Sequence, residues 1–265
     1  MQVESFSAHR TLRRGIVRVE AALGAFAFPS HSHDHVCIGL ARDGEHNCRY
    51  GLRRHLVEKG DLMLVNPGEV HDGKPSGRRG RRYSMLEVDT AVFHQLCRDA
   101  IGAEHFEFKR AVLRAPYARD ALAAWLESLS GCDTQVERDA SAAFFGLVAG
   151  RVLELQRPKA ARGLAIIVGQ QMRAQGPEAD SIGEIGAQRG ISRFQLIRAF
   201  KQTFGLTPED FRRQLRVERA RALLAGQRQL SEVAFCAGFA DQSHMTREFR
   251  RLVGLSPGNY RRALQ

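Results

Sequence analysis

The strongest constraint on this chain of 265 residues is an internal duplication toward its C-terminal end. Ile185–Arg212 (IGAQRGISRFQLIRAFKQTFGLTPEDFR) aligns with Val233–Arg261 (VAFCAGFADQSHMTREFRRLVGLSPGNYR), the second copy carrying one extra residue in its turn. Beyond that turn the offset is constant, 247 − 198 = 49, pairing Arg198 with Arg247, Phe200 with Phe249 and Gly205 with Gly254. It also pairs Thr207-Pro208 with Ser256-Pro257, Phe211 with Tyr260 and Arg212 with Arg261. Two copies are too few for a solenoid, so a tandem unit is expected. Each copy has the pattern of two helices crossing at a sharp turn. Gly186 and Ala234 are small where the helices approach, and Gly190 and Gly238 supply the positive φ of the turn. Ser192 with Gln195 forms a capping box and Asp241 is placed to cap the matching helix. Ser181 with Glu184, and Thr207-Pro208 with Asp210, mark two further helix starts.

Helical spacing puts Leu196, Phe200, Met245 and Phe249 on the buried faces of the two second helices. Arg193, Phe194, Ile197 and Arg198 are then free in one copy, and Gln242, Ser243, His244 and Arg247 in the other. Arg, Gln, Ser and His can all bond base edges in a major groove of double-stranded DNA. The connecting segment Pro208–Ala225 spans about 27 Å as a helix, near the roughly 34 Å between successive major-groove entries on one face of a duplex. Arg212, Arg213, Arg216 and Arg219 on this segment suit either phosphate contact or helix solubility with local pairing to Glu218. The charge agrees with a polyanionic partner. The net charge is +11, of which 16 Lys/Arg less 9 Asp/Glu, or +7, falls after Gly163.

The remainder of the chain has a different texture. From about Arg14 to Leu86, short period-2 runs broken by Gly, Pro and Asp read as antiparallel strands. From Thr90 to Gln156 the period lengthens to helical, and Val136–Gln156 carries an apolar stripe at Ala143, Phe144, Leu147, Val148 and Val152. That stripe suits a dimer face or a cover for the strands equally. A basic stretch, Arg157–Gly163, has the character of a linker. The expected organisation is a two-domain α+β chain: a β-rich unit over 1–156, a linker over 157–163 and an all-α unit of two helix-turn-helix subdomains over 164–265. Five scattered cysteines with no CxxC pair argue against a disulfide framework and fit a reducing cytoplasm. No apolar run approaches a membrane span and the N-terminus has no export signal, so neither membrane association nor secretion is expected.

At this point a resemblance becomes plain. The region Leu164–Arg262 looks like the DNA-binding domain of the AraC/XylS family of bacterial transcription regulators, and GFADQSHMTREFRRLVGLSPGNYRR (Gly238–Arg262) is similar to that family's signature nearly throughout. The resemblance implies two subdomains on a linker helix that read a pseudo-repeated site, often with DNA bending. It places base-reading positions at Phe194, Ile197 and Arg198, and at Gln242, Ser243, His244 and Arg247. Ile197 departs from the polar residue often found there, and contact with a thymine methyl suits it better. The pieces His31–His46 (HSHDHVCIGLARDGEH) and Gly60–Gly73 (GDLMLVNPGEVHDG) resemble, more loosely, the small cupin barrel that serves many such regulators as a sensor.

The histidines raise a metal question. His31 and His33 share a face of a strand and His71 offers a third ligand, as in metal-dependent cupins. Those proteins add a glutamate four or five residues after the pair, where this chain has Cys37 and Ile38, so no metal and no cofactor is expected, although a Cys37 thiolate is a conceivable substitute. The sequence also lacks GxSxG, GxxxxGK[ST], HExxH and a GxGxxG after a strand, and no enzymatic activity is expected. The competing reading is a metal-dependent cupin enzyme fused to a DNA-binding tail. A DNA-repair methyl acceptor would need a clustered four-cysteine zinc site, which the dispersed cysteines do not offer. The expected mechanism has a small effector of unknown identity in a barrel lined by some of His31, His33, His35, Tyr50, His71 and Tyr83. Binding there would alter how the sensor, its homodimer or an N-terminal arm (Arg10, Arg13, Arg14) engages the DNA-binding unit. The expected setting is cytoplasmic, at the nucleoid when DNA-bound, with RNA polymerase admitted as a further partner.

Overall fold

The computed structural model describes residues 3–11, 13–51, 53–77, 80–102, 106–131, 133–155, 164–176 and 181–264. Nine strands open the chain: β1 (Val3–Arg10), β2 (Ile16–Leu23), β3 (Phe28–His31), β4 (Val36–Asp43), β5 (His46–Tyr50), β6 (Arg53–Val57), β7 (Leu62–Val65), β8 (His71–Pro75) and β9 (Arg81–Val88). There follow α1 (Thr90–Ile101), β10 (Phe106–Phe108), β11 (Val112–Leu113), α2 (Pro116–Ser128), α3 (Thr134–Val152) and β12 (Leu153–Leu155).

Strand alternation builds three layers. A six-stranded sheet in the order β1-β2-β9-β4-β7-β11 has every pairing antiparallel. Along β4, Val36, Ile38 and Leu40 join Leu62, Leu64, Leu86 and Val88 on one face, which is covered by Phe93, Trp125, Phe144, Phe145 and Val148 of α1, α2 and α3. The intervening residues Cys37, Met63, Val65, Tyr83 and Met85 point the other way, into a cavity shared with a four-stranded sheet, β3-β8-β5-β6. The expected β-rich unit is therefore present, but as two facing sheets that are not joined into the closed barrel the sequence suggested.

The C-terminal half is helical: α4 (Leu164–Gln175), α5 (Ile182–Ala187), α6 (Arg193–Phe204), α7 (Pro208–Leu224), α8 (Leu230–Cys236), α9 (Gln242–Val253) and α10 (Pro257–Ala263). The caps read from the sequence are in place. Ser181/Glu184 and Ser192/Gln195 form full capping boxes, while Thr207, Asp241 and Ser256 each accept an amide bond from the first turn they open. Each repeat has its own core. Phe200, Phe211, Leu196 and Ile185 close the first, and Phe249, Met245, Val233 and Tyr260 the second, with α7 running from one to the other.

Two expectations need refinement. The helix read as Val136–Gln156 stops at Val152, and Leu153–Leu155 pairs instead with β10 as an edge strand. Its stripe is also split: Phe144 and Val148 are wholly buried, with Phe145 beside them, while Ala143 is exposed and Leu147 is 45% exposed; Val136, at the start of the same helix, is 52% exposed. The stretch 157–163 read as a linker lies outside the described residues.

Candidate functional site

The second helix of each repeat presents a polar face. In α6, Arg193, Phe194 and Arg198 are exposed, Phe194 to 83%, and Ile197 is half-buried. In α9, Gln242, Ser243 and Arg247 are exposed. His244 is half-buried, its ring edge-on to Phe239 at 5.4 Å and its amide donating to Asp241 Oδ1. Lys201 and Arg250, a matching pair across the repeat, are exposed one turn further along and were not singled out from sequence. Between the two helices, α7 has 17 residues, about 26 Å at 1.5 Å per residue. The arginines of α7 divide. Arg213 bonds Asp210 at 3.1 Å, while burial lowers the pKa of Arg216. Glu218 does not serve as their surface partner. It is half-buried against the cavity, its Oε1 is buried and meets no hydrogen-bond donor, and desolvation raises its pKa to about 8, reinforced by Asp34.

The cavity, about 170 Å³, lies between the two sheets and reaches α7 and α9. Of the residues expected to line it, His31, His33, His71, Tyr50 and Tyr83 do so. His35 lies behind His33, stacked on it at 4.1 Å, with its ring 3.8 Å from Glu87. Adjacent strands bring the histidines together. His31 and His71 are register partners on β3 and β8, and Tyr50 of β5 flanks His71 on the other side. Ring centroids are 4.2 Å apart for His31–His71 and 4.8 Å for His33–His71. In each of the three, Nδ1 faces a backbone carbonyl two residues away: Pro29 at 2.8 Å, His35 at 2.8 Å and Glu69 at 3.0 Å. Nδ1 must be the protonated nitrogen to make that bond, which leaves Nε2 unprotonated and able to accept. Burial lowers all three pKa values, reinforced by Arg221 at His31 and by neighbouring imidazoles at His33 and His71, and so favours the neutral rings. Cys37 Sγ lies 3.5 Å from His33 Nε2, and burial raises its pKa, so it is a thiol.

Sequence reasoning missed the rest of the wall. Phe28, Met63, Val65 and Met85 make it mainly apolar, and Arg81, only 2% exposed, is held by the carbonyls of Phe26 and Gly73. The remaining wall comes from the helical half: Gln214, Val217, Glu218 and Arg221 of α7, with Leu252 and Val253 of α9. Arg221 binds both carboxylate oxygens of Glu87 on β9, at 2.6 and 2.8 Å, and its Nε donates to Tyr260 Oη. Burial disfavours its charge, but Glu87 and Tyr260 outweigh that and raise its pKa. Gln214 donates to Ser30 O and accepts from Ser32 N, and Arg173 of α4 meets Asp34 at 2.8 Å. Phe6 of β1 packs with the second repeat's core and Val70 with the first. Arg13, expected in an arm reaching the DNA-binding unit, turns instead to Glu137 at 3.4 Å and Asp99 at 3.9 Å. Arg14 is exposed, and the side chain of Arg10 lies outside what is described.

A cavity in a β-rich unit, walled in part by the helix between two helix-turn-helix repeats, defines a ligand-responsive DNA-binding regulator. Comparison with known proteins agrees. Residues 15–148 match the AraC-like ligand binding domain and residues 185–263 a helix-turn-helix domain. The chain is 26% identical over 227 residues to YbfI, an uncharacterized HTH-type transcriptional regulator of Bacillus subtilis (strain 168), covering 82% of this chain and 81% of that protein. It is 39% identical over 85 residues to the transcriptional activator RhaS of Escherichia fergusonii, a match that spans 32% of this chain and 31% of RhaS. Among solved structures, unsaturated fatty acid bound ToxT from Vibrio cholerae strain SCE256 has the same fold, with a TM-score of 0.67 at 15% identity over 97% of this chain and 98% of that one. The chain belongs to the AraC family of transcription regulators.

Proposed function

We propose that this regulator reads a two-part DNA site with α6 and α9, and that an effector in the cavity sets how those helices are held. The observation that carries this reading is the composite cavity wall, in which Gln214, Glu218 and Arg221 of α7 face the same space as His31 and His71. A ligand there touches both halves, so its binding energy differs between arrangements of α7, which is the requirement for coupling. Arg193, Phe194, Ile197 and Arg198 serve one half-site and Gln242, Ser243, His244 and Arg247 the other. Lys201 and Arg250 add phosphate contacts. The effector suited to an apolar wall with Arg81, Arg221 and neutral histidines is a small organic acid with an apolar body. ToxT, solved with an unsaturated fatty acid and with (E)-4-(8-methylnaphthalen-1-yl)but-3-enoic acid, offers a parallel.

The functional units are taken as 1–156 and 164–265 with 157–163 between them. The exposed face of α3, with Val136 and Leu147, is the proposed homodimer contact, and RNA polymerase a downstream partner. The setting is the cytoplasm; among the described residues no helix is long and apolar enough to cross a membrane. The role is binding without turnover. Cys37 beside His33 is a thiol held neutral by burial, the opposite of the depressed pKa that an activated nucleophile needs.

The test is selection of bound duplexes from random DNA, followed by footprinting. Two protected half-sites about one helical turn apart are expected. Arg247→Ala should weaken the selected site by about 1–3 kcal/mol while leaving random DNA nearly untouched. A pool that shows no enrichment removes the reading.

A further inference from the structure

The three cavity histidines carry more than effector contact. Each offers one ring nitrogen, and these lie within 4.8 Å of one another. Metal–nitrogen bonds of roughly 2.0–2.1 Å in a tetrahedron set nitrogens about 3.3 Å apart. The rings therefore need to close by roughly 1.5 Å at most, a small rotation for side chains that border open space. The Nδ1–carbonyl bonds to Pro29, His35 and Glu69 are what an imidazole ligand requires of its surroundings, because they fix the tautomer and aim Nε2. Three aimed, neutral imidazoles favour zinc, copper, nickel or cobalt over magnesium and calcium, which take oxygen ligands. The second group, His33, His35 and Cys37, shares His33, but the His33 and His35 rings are stacked 4.1 Å apart at 10°, so their in-plane lone pairs run side by side instead of converging on one ion.

The histidines also sit within the stretch that holds the helical half. Ser30 O and Ser32 N bond Gln214 of α7, and Asp34 pairs with Arg173 of α4. His31 and His33 alternate with these residues along one backbone. Because the His31 and His33 rings are hydrogen-bonded to the carbonyls of Pro29 and His35, turning them toward His71 pulls on the same backbone that Gln214 grips.

We propose that His31, His33 and His71 form a site for one divalent transition-metal ion of the zinc class, open to the cavity, and that its occupancy is transmitted to α7 and α4 through Ser30–Asp34. A doubly charged ion on three neutral ligands calls for an anion at its open position. The acidic head of the effector inferred above would supply it, and this part rests on that reading.

The experiment uses the full chain, stripped with chelator and titrated with Co²⁺ as the spectroscopic probe. One equivalent per chain with the visible bands of tetrahedral cobalt is expected, and azide, a small anionic probe, should shift them. His31→Ala and His71→Gln should each lower affinity roughly a hundredfold or more, while exposed His9→Ala leaves it unchanged; circular dichroism checks that the variants fold. No uptake by the wild type, or equal uptake in the His31 and His71 variants, overturns the site. Loss confined to His35→Ala and Cys37→Ser moves the metal to the other group and also overturns it. Bands insensitive to azide but lost with their thiolate charge-transfer component in Cys37→Ser refute the open position. For transmission, Zn²⁺ should change amide exchange across α7 by about tenfold in the wild type and not in His71→Gln; unchanged exchange in a metal-loaded chain refutes the coupling. None of these readouts involves DNA, so a failed duplex selection and a failed metal site are told apart.

Discussion

A Cβ added at Gly186 would stand 2.6 Å from the carbonyl oxygen of Ile191, a backbone atom with no room to retreat. The second repeat has Ala234, 1% exposed, at the matching position, and carries its extra residue after the turn glycine Gly238, which takes φ 82°. Gly186→Ala should therefore destabilise the first repeat by about 1–3 kcal/mol. Measured by urea unfolding, Ala234→Gly should cost less, about 1 kcal/mol or under, as a helix-propensity effect; equal costs would show that the turns are equivalent. These sites were legible because capping and turn chemistry act within a few residues. Glu218 was not. Its neighbours in sequence are arginines, which predicts a surface ion pair, and only the packing of α7 against the cavity strands it without a donor.

At the scale of elements, α7 is the informative one. It supplies Phe211 to the first repeat's core and Val217, Ala220 and Leu224 to the second's. It also lends Gln214 and Arg221 to the cavity. Periodicity alone marks it as a spacer, since Arg221 and Glu87 are 134 positions apart and no local pattern links them. Removing one partner of a buried pair leaves the other charge uncompensated. Glu87→Gln should lower stability by about 3 kcal/mol or more, and adding Arg221→Met should recover most of that. The midpoint of chemical unfolding reads both. A double variant no better than the single one would mean that Arg221 is satisfied by Tyr260 alone.

At the scale of the molecule, the two halves meet through Phe6 with Tyr260, Val70 with the first repeat, Asp34 with Arg173 and Glu87 with Arg221, around the cavity that both halves line. A measurable pH dependence follows. Glu218 keeps its proton to about 8 when folded, against an ordinary value of 4.5. Between those values the unfolded chain releases a proton that the folded chain retains, so stability should fall with rising pH across this window and level off above it. The buried histidines act oppositely. Their lowered pKa values let the unfolded chain take up more protons below about 6.5, so stability rises with pH there. Subtracting the profile of Glu218→Gln from the wild type isolates the glutamate, and the difference should shrink as pH falls from about 8 to about 5. A difference independent of pH would show that Glu218 is ionised in the folded chain.

The amino-acid sequence alone determined the paired helix-turn-helix units, their caps, the polar faces of their second helices and the strand character of the first ninety or so positions, since each depends on spacing within a turn, a helix or a strand. Tertiary structure decided which of the histidines converge, that two open sheets rather than a barrel enclose them, and that α7 and α9 complete the wall. Those outcomes depend on contacts between residues far apart in the chain, where burial rather than periodicity selects the partner.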